Sequence, residues 1–182
     1  MLGDRKMQLS NFPYFSQLDN AQNPSGSCNV TAIAMCLSYL GIRPYDRDQQ
    51  LEDELYEKCT NNGWSRHDPL GLKRVAESYN GIKDSFTATG TLDNIRRALE
   101  AGMPCVIHGY FTRIGHIITV VGFDENGLIV NDPYGEWFES GYNTQVSGES
   151  LHYSYSMISR LCSPESVDSP RHIWLHRLSY QR

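Results

Sequence analysis

Gly115-His116-Ile117-Ile118-Thr119-Val120-Val121-Gly122-Phe123-Asp124-Glu125-Asn126-Gly127-Leu128-Ile129-Val130-Asn131-Asp132-Pro133 is the stretch that decides the fold of this chain. His116 to Phe123 is apolar throughout, the pattern of a strand buried on both faces. Asn126-Gly127 is the strongest short hairpin signal, so Leu128 to Asn131 reads as the antiparallel return strand. Asp132-Pro133-Tyr134-Gly135 ends it. In such a hairpin the start of one strand lies beside the end of its partner. His116 and Asp132 therefore share one end of the ladder, in a register open by a few residues. Adjacent strand residues point to opposite faces, so only one of Asn131 and Asp132 can reach His116. The strand-end position favours Asp132.

Upstream, the period changes. Helices are expected from Cys28 to Leu40, from Asp48 to Lys58, from Asp68-Pro69 to about Gly81, and from Thr91 to Ala101. Gly41 and Gly102 stand where helix C-termini call for glycine, and Asp68-Pro69 is an N-cap followed by proline at the first helical position. Phe12 to Phe15, Pro104 to Tyr110 and His172 to Leu178 read as further strands. Gly141 to Ser169 is weakly patterned. Helices first and an antiparallel sheet afterwards make this an α+β chain. It reads as one domain over 1–182, with a core over about 12–135 and a variable end over 136–182.

Composition narrows the function classes. At 182 residues, with 40% hydrophobic and 20% charged content, the chain can bury a substantial core. A net charge of −5 argues against binding nucleic acid through phosphate neutralisation. No apolar run is long enough to span a bilayer, and Met1 to Lys6 lacks the apolar core of a secretory signal, so a cytoplasmic protein is expected. The five cysteines, Cys28, Cys36, Cys59, Cys105 and Cys162, are odd in number and scattered, which suits free thiols in a reducing compartment. No zinc-ligand spacing and no phosphate-cradling glycine motif is present, and no cofactor is expected.

Cys28 carries the chemical signal. It follows the loop Asn23-Pro24-Ser25-Gly26-Ser27 and opens an apolar helix, where the positive end of the helix dipole stabilises a thiolate. A nucleophilic thiol needs a base, and the base needs an orienting acceptor. His116 and Asp132 are placed to be both. Taken singly, each residue has a structural reading: a small buried hydrophobe, a strand-end histidine, a turn-former before proline. Their joint appearance in the order Cys, His, Asp points to catalysis.

These pieces resemble the C39-like peptidases, papain-like cysteine peptidases that include the leader-cleaving domains of bacteriocin exporters. The likeness rests on Tyr14-Phe15-Ser16-Gln17, on Ser27-Cys28-Asn29-Val30-Thr31, on Gly102-Met103-Pro104-Cys105-Val106-Ile107, and on Gly115 to Asp124 followed by Val130-Asn131-Asp132-Pro133. It runs from about Phe12 to Tyr134. It implies a papain-like fold with Cys28 as nucleophile, His116 as general base and acid, and Asp132 as third member. It also implies that Gln17 and the Cys28 backbone N–H form the oxyanion hole. Two features depart from the pattern: Asn29 stands where many relatives have glycine, and Asn20 to Gly26 lengthens the stretch before Cys28. The implied partner is a peptide or protein substrate. Since transporter helices and an ATP-binding domain are lacking, an exporter is not expected. A peptidoglycan endopeptidase and a catalytically retired binding module are the alternatives.

Overall fold

A strand with apolar side chains on both faces has no polar face to offer water, so it forms only where both sides of its sheet are covered. The computed structural model, which describes residues 5–163 and 172–182, meets that condition. Residues 1–4 and 164–171, parts of the N-terminal stretch and of the weakly patterned tail, lie outside the described residues. In chain order the elements are β1 (Met7–Gln8), a 3-10 turn (Gln17–Asp19), α1 (Cys28–Tyr39), α2 (Leu51–Asn62), α3 (Pro69–Glu77), β2 (Ile82–Asp84), β3 (Thr87–Gly90), α4 (Leu92–Glu100), β4 (Cys105–Gly109), β5 (His116–Phe123), β6 (Gly127–Asn131), β7 (Glu136–Phe138), β8 (Gly141–Asn143), β9 (Leu151–Ser154), α5 (Tyr155–Cys162) and β10 (Ile173–Tyr180).

The main sheet runs β2-β10-β4-β5-β6-β9, with β1 added beside β5 and β3 beside β10, and every pairing is antiparallel. All of β5 is buried. Helices α1, α2 and α3 pack with Val106 and Ile117 around one core, while Ile95, Leu99, Ile158 and Leu161 of α4 and α5 pack with Ile107, Ile118 and Val120 around the other. The alternation along β4 and β5 therefore sends successive side chains into two different cores. Among the described residues no helix is long and apolar enough to cross a membrane.

Several local expectations change. Phe12 to Phe15 forms no strand, and the N-terminal strand is Met7–Gln8 instead. Asn126-Gly127 does not form a two-residue turn: Phe123 pairs with Leu128, and the Asp124 carboxylate closes the connection by accepting from the Asn126 and Gly127 N–H groups. Gly127 is required for another reason, since a Cβ there would come within 2.4 Å of the Tyr153 carbonyl oxygen. The weakly patterned stretch from Gly141 holds β8, β9 and α5, and β7 lies just before it; the order of these elements depends on what they pack against.

A β-bulge interrupts the β5–β6 ladder between Val120 and Gly122. Before it Phe123 faces Leu128; after it Thr119 faces Asn131. The extra residue on β5 moves the register by one and puts Asn131 on the Thr119 face, leaving Asp132 for the His116 face.

Candidate active site

α1 begins at Cys28, and its N-cap Ser27 makes no side-chain capping bond. The loop before it is tied down from several sides. Asp53 of α2 accepts from the N–H groups of Ala21 and Gln22, at 3.1 and 2.9 Å. The Asn20 amide lies 2.8 Å from the hydroxyls of both Ser27 and Thr31. Asn29 uses its side-chain oxygen to accept from Val30 N–H at 2.8 Å and from Arg66 Nη1 at 3.3 Å. Glycine at that position could do neither, which gives the departure at Asn29 a structural reason. Arg66 also donates to the Gly26 carbonyl, at 3.1 Å.

His116 follows Gly115, which has φ +90° and lets the chain turn into β5. The imidazole is 5% exposed. Its Nε2 is 2.8 Å from Asp132 Oδ1, so Nδ1 is the nitrogen left for Cys28. Burial alone would push the Cys28 thiol up. The adjacent His116 charge, the hydrogen bond to that ring and the Ile117 backbone N–H outweigh it and hold the thiol below its ordinary range. Burial likewise lowers His116, but the Asp132 and Cys28 charges and hydrogen bonds raise it far above the usual imidazole value. The group of three thus favours thiolate and imidazolium.

Asp132 is completely buried and has four donors. Oδ1 takes His116 and the Tyr134 N–H at 3.0 Å, while Oδ2 takes the hydroxyls of Tyr142 at 2.8 Å and Tyr153 at 2.9 Å. Its backbone is pinned as well: Tyr14 donates to its carbonyl, and its N–H donates to the Gly148 carbonyl. A Cβ on Gly148 would sit 1.9 Å from that Asp132 oxygen. Asn131 points elsewhere, donating to Pro13 O and accepting from Ser150 N–H.

Tyr142 and Tyr153 are the site residues that sequence reading missed. Burial, then the Asp132 charge, raises the pKa of both phenols, so each stays a neutral donor. Tyr142 sits on the small β7–β8 hairpin, which Trp137 fastens through Nε1 to the Phe111 carbonyl at 2.8 Å. No spacing rule connects that hairpin to Asp132. The available signal was the density of tyrosines in the tail. Tyr142→Phe removes one of the two hydroxyls on Asp132 Oδ2 and is expected to lower turnover about 10-fold, in the range seen for outer partners of catalytic groups, as read from kcat/KM.

Gln17 is 2% exposed and lies with Cys28 and His116 along a cleft of about 710 Å³. Its backbone N–H donates to the Pro133 carbonyl, tying the 3-10 turn to the residue after Asp132. Its Nε2 donates to Pro24 O at 3.0 Å, and its Oε1 has no partner among the described residues. One amide hydrogen is therefore engaged with the loop and the other is not. The other four thiols, Cys36, Cys59, Cys105 and Cys162, are buried, and burial raises the pKa of each. Among the described residues no three His, Cys, Asp or Glu side chains are grouped to hold a metal.

The family model described as Peptidase_C39 like family matches residues 9–163. A chain from Bacillus anthracis, named as a candidate C39-like peptidase, shares the fold with a TM-score of 0.65 at 17% identity, covering 98% of this chain and 100% of its own. A double glycine motif protease from an AMS/PCAT transporter, crystallised in complex with the leader peptide, gives 0.52 at 17% identity, covering 97% and 98%. At such identities the likeness is one of fold. No curated protein matches this chain.

Proposed function

The chain belongs to the Peptidase_C39 like family, and from that premise we propose that it hydrolyses peptide bonds through Cys28, His116 and Asp132. The observation that carries this reading is His116 itself, one ring nitrogen on Asp132 and the other side against the Cys28 thiol. The Cys28 thiolate attacks the scissile carbonyl carbon, and the carbonyl electron pair moves onto oxygen. The oxyanion is met by the Cys28 backbone N–H and by the free amide hydrogen of Gln17, neutral donors that need no reorganisation. Collapse expels the amine, which takes the proton from His116, and leaves a thioester. His116 then accepts a proton from water, the hydroxide adds to the thioester, and Cys28 departs as thiolate. Asp132 holds the ring in the productive orientation throughout. A leader peptide is bound to one structural neighbour, which supports a peptide as the ligand here.

Iodoacetamide labelling tests the reading. Cys28 is expected to react well below the free-thiol pKa of about 8.5, ahead of the four buried thiols. The sign follows from the two shifts: the lowered Cys28 pKa supplies thiolate at a lower pH than an ordinary thiol would, and the raised His116 pKa, about 10, keeps the imidazolium to a higher pH than an ordinary imidazole would. Peptide turnover should therefore rise with the first ionisation, plateau around neutrality and fall as His116 loses its proton. His116→Ala should move the alkylation midpoint up, to about 8.5 or above, because burial then acts without the opposing imidazolium. An unmoved midpoint would show that His116 is not the partner of Cys28.

A further inference from the structure

A second buried polar chain leads into the same cleft and plays no part in the reaction above. It crosses three strands on the α1 face of the sheet. Asp84 ends β2, His176 lies on β10, and His108 is the last residue before Gly109 on β4, whose partner across the ladder is His116. His176 Nδ1 donates to Asp84 Oδ2 at 2.6 Å, and His176 Nε2 is 3.0 Å from His108 Nε2. Asp84 and His176 are fully buried, and Asp84 Oδ1 has no partner among the described residues. Phe86 lies tilted against His176 with ring centroids 4.7 Å apart, and Trp174 meets His108 edge-on at 5.7 Å. His108 and Trp174 line the cleft.

The protons in this chain follow from matching donors to acceptors. A buried carboxyl group needs a donor, and His176 Nδ1 is the group on Asp84. Burial, and then the positive charge of His176, push the His108 pKa down to about 3, so His108 is neutral. The two Nε2 atoms, 3.0 Å apart, need one donor and one acceptor, and with His176 donating, His108 Nε2 accepts. The His108 proton is then on Nδ1, the nitrogen with no protein partner among the described residues.

The charges around the cleft point the same way. Although the chain has 21 acidic and 16 basic residues, no Asp or Glu is among the described residues lining the cleft, which include Arg66, His67, His108 and His172. Arg66 is held in place over the Tyr56 ring, its guanidinium carbon 4.0 Å from the centroid. A concave site with donors and a fixed cation, and no competing carboxylate, attracts anions even on an acidic protein.

We propose that His108, positioned by His176 and Asp84, is the substrate-reading donor of this cleft and selects a peptide carboxylate near the scissile bond. The inference rests on the peptidase reading for its substrate, but its test is one of binding. Full-length protein carrying Cys28→Ala is titrated with fluorescent peptides chosen from an unbiased library and paired Glu against Gln. A second set of pairs carries free or amidated C-termini, which separates a side-chain carboxylate from a terminal one. The carboxylate member of one set should bind about 10- to 100-fold more tightly, the range for a hydrogen bond to a charged group. His108→Phe keeps the ring but has no donor and should bring that preference below threefold. His108→Asn, which can offer an N–H near the Nδ1 position, should restore part of it. Asp84→Asn should weaken the preference without touching the cleft. Equal binding within both sets of pairs, or a preference unchanged in a folded His108→Phe protein, would overturn the inference. A preserved preference without Cys28-dependent cleavage of the same peptides by the unmodified chain would overturn the peptidase reading alone.

Discussion

Cys28→Ala is expected to lower peptide turnover by about four orders of magnitude or more, because no other group can form the thioester. The remaining thiols are buried with raised pKa values, so none can stand in for it. Stability should change little. Cys28 is half-buried, has no disulfide partner, and loses only its sulfur. The α1 start is secured by Asn29, Asn20 and Thr31, which the substitution leaves intact. The measurement is kcat/KM on a cleaved peptide together with a denaturant melt. Retained turnover in a folded Cys28→Ala protein would sink the mechanism, whatever substrate is used.

Asp132→Ala should have the second largest effect, on turnover and stability at once. His116 loses its counter-charge and its orienting bond, for which a loss of about 10²- to 10⁴-fold in turnover is expected. The hydroxyls of Tyr142 and Tyr153 lose their shared acceptor inside the protein. Removing a buried charge and stranding its donors costs about 3–5 kcal/mol. Asp132→Asn keeps an oxygen for the tyrosines and should regain most of the stability while recovering less of the turnover. Asn131→Ala is the control. It breaks the bonds to Pro13 and Ser150 and should cost stability, with His116 still on Asp132. If Asn131→Ala lost more turnover than Asp132→Ala, the third member of the site would be misassigned.

Much of the scaffold was legible from local chemistry. Asp68 caps α3 with Pro69 behind it, Thr91 and Asn94 form the reciprocal capping box of α4, and Gly41 and Gly102 adopt positive φ just past α1 and α4. Each of these depends on a residue and its near neighbours, so sequence suffices. The start of α2 was read three residues early, because Asp48 and Gln49 are turn residues closed by Asp46 and Leu51 opens the helix. α5 and the β7–β8 hairpin were not legible, since their short mixed sequences are ordered by packing on Phe111, Tyr153 and the sheet.

The sequence by itself determined the order of the chemistry: a thiol at a helix start, an imidazole at the head of an apolar strand, and a carboxylate where the return strand ends. It also pointed to burial of β5 on both faces, because apolar side chains fall on each side of the strand. It favoured Asp132 over Asn131 as the partner of His116 from the strand-end position, but with the register open by a few residues it could not fix the choice. That choice was made by the bulge at Val121, where β1 comes alongside β5: Leu9 N–H bonds the Val121 carbonyl, and a Cβ on Gly122 would stand 2.5 Å from the Met7 oxygen. A one-residue slip exchanges the two faces of a strand. Contacts more than 100 residues away in the chain therefore put the charged side chain, and not its amide neighbour, on His116 and between two tyrosines. The Asp84–His176–His108 chain has the same origin, since only strand pairing brings those three positions onto one face.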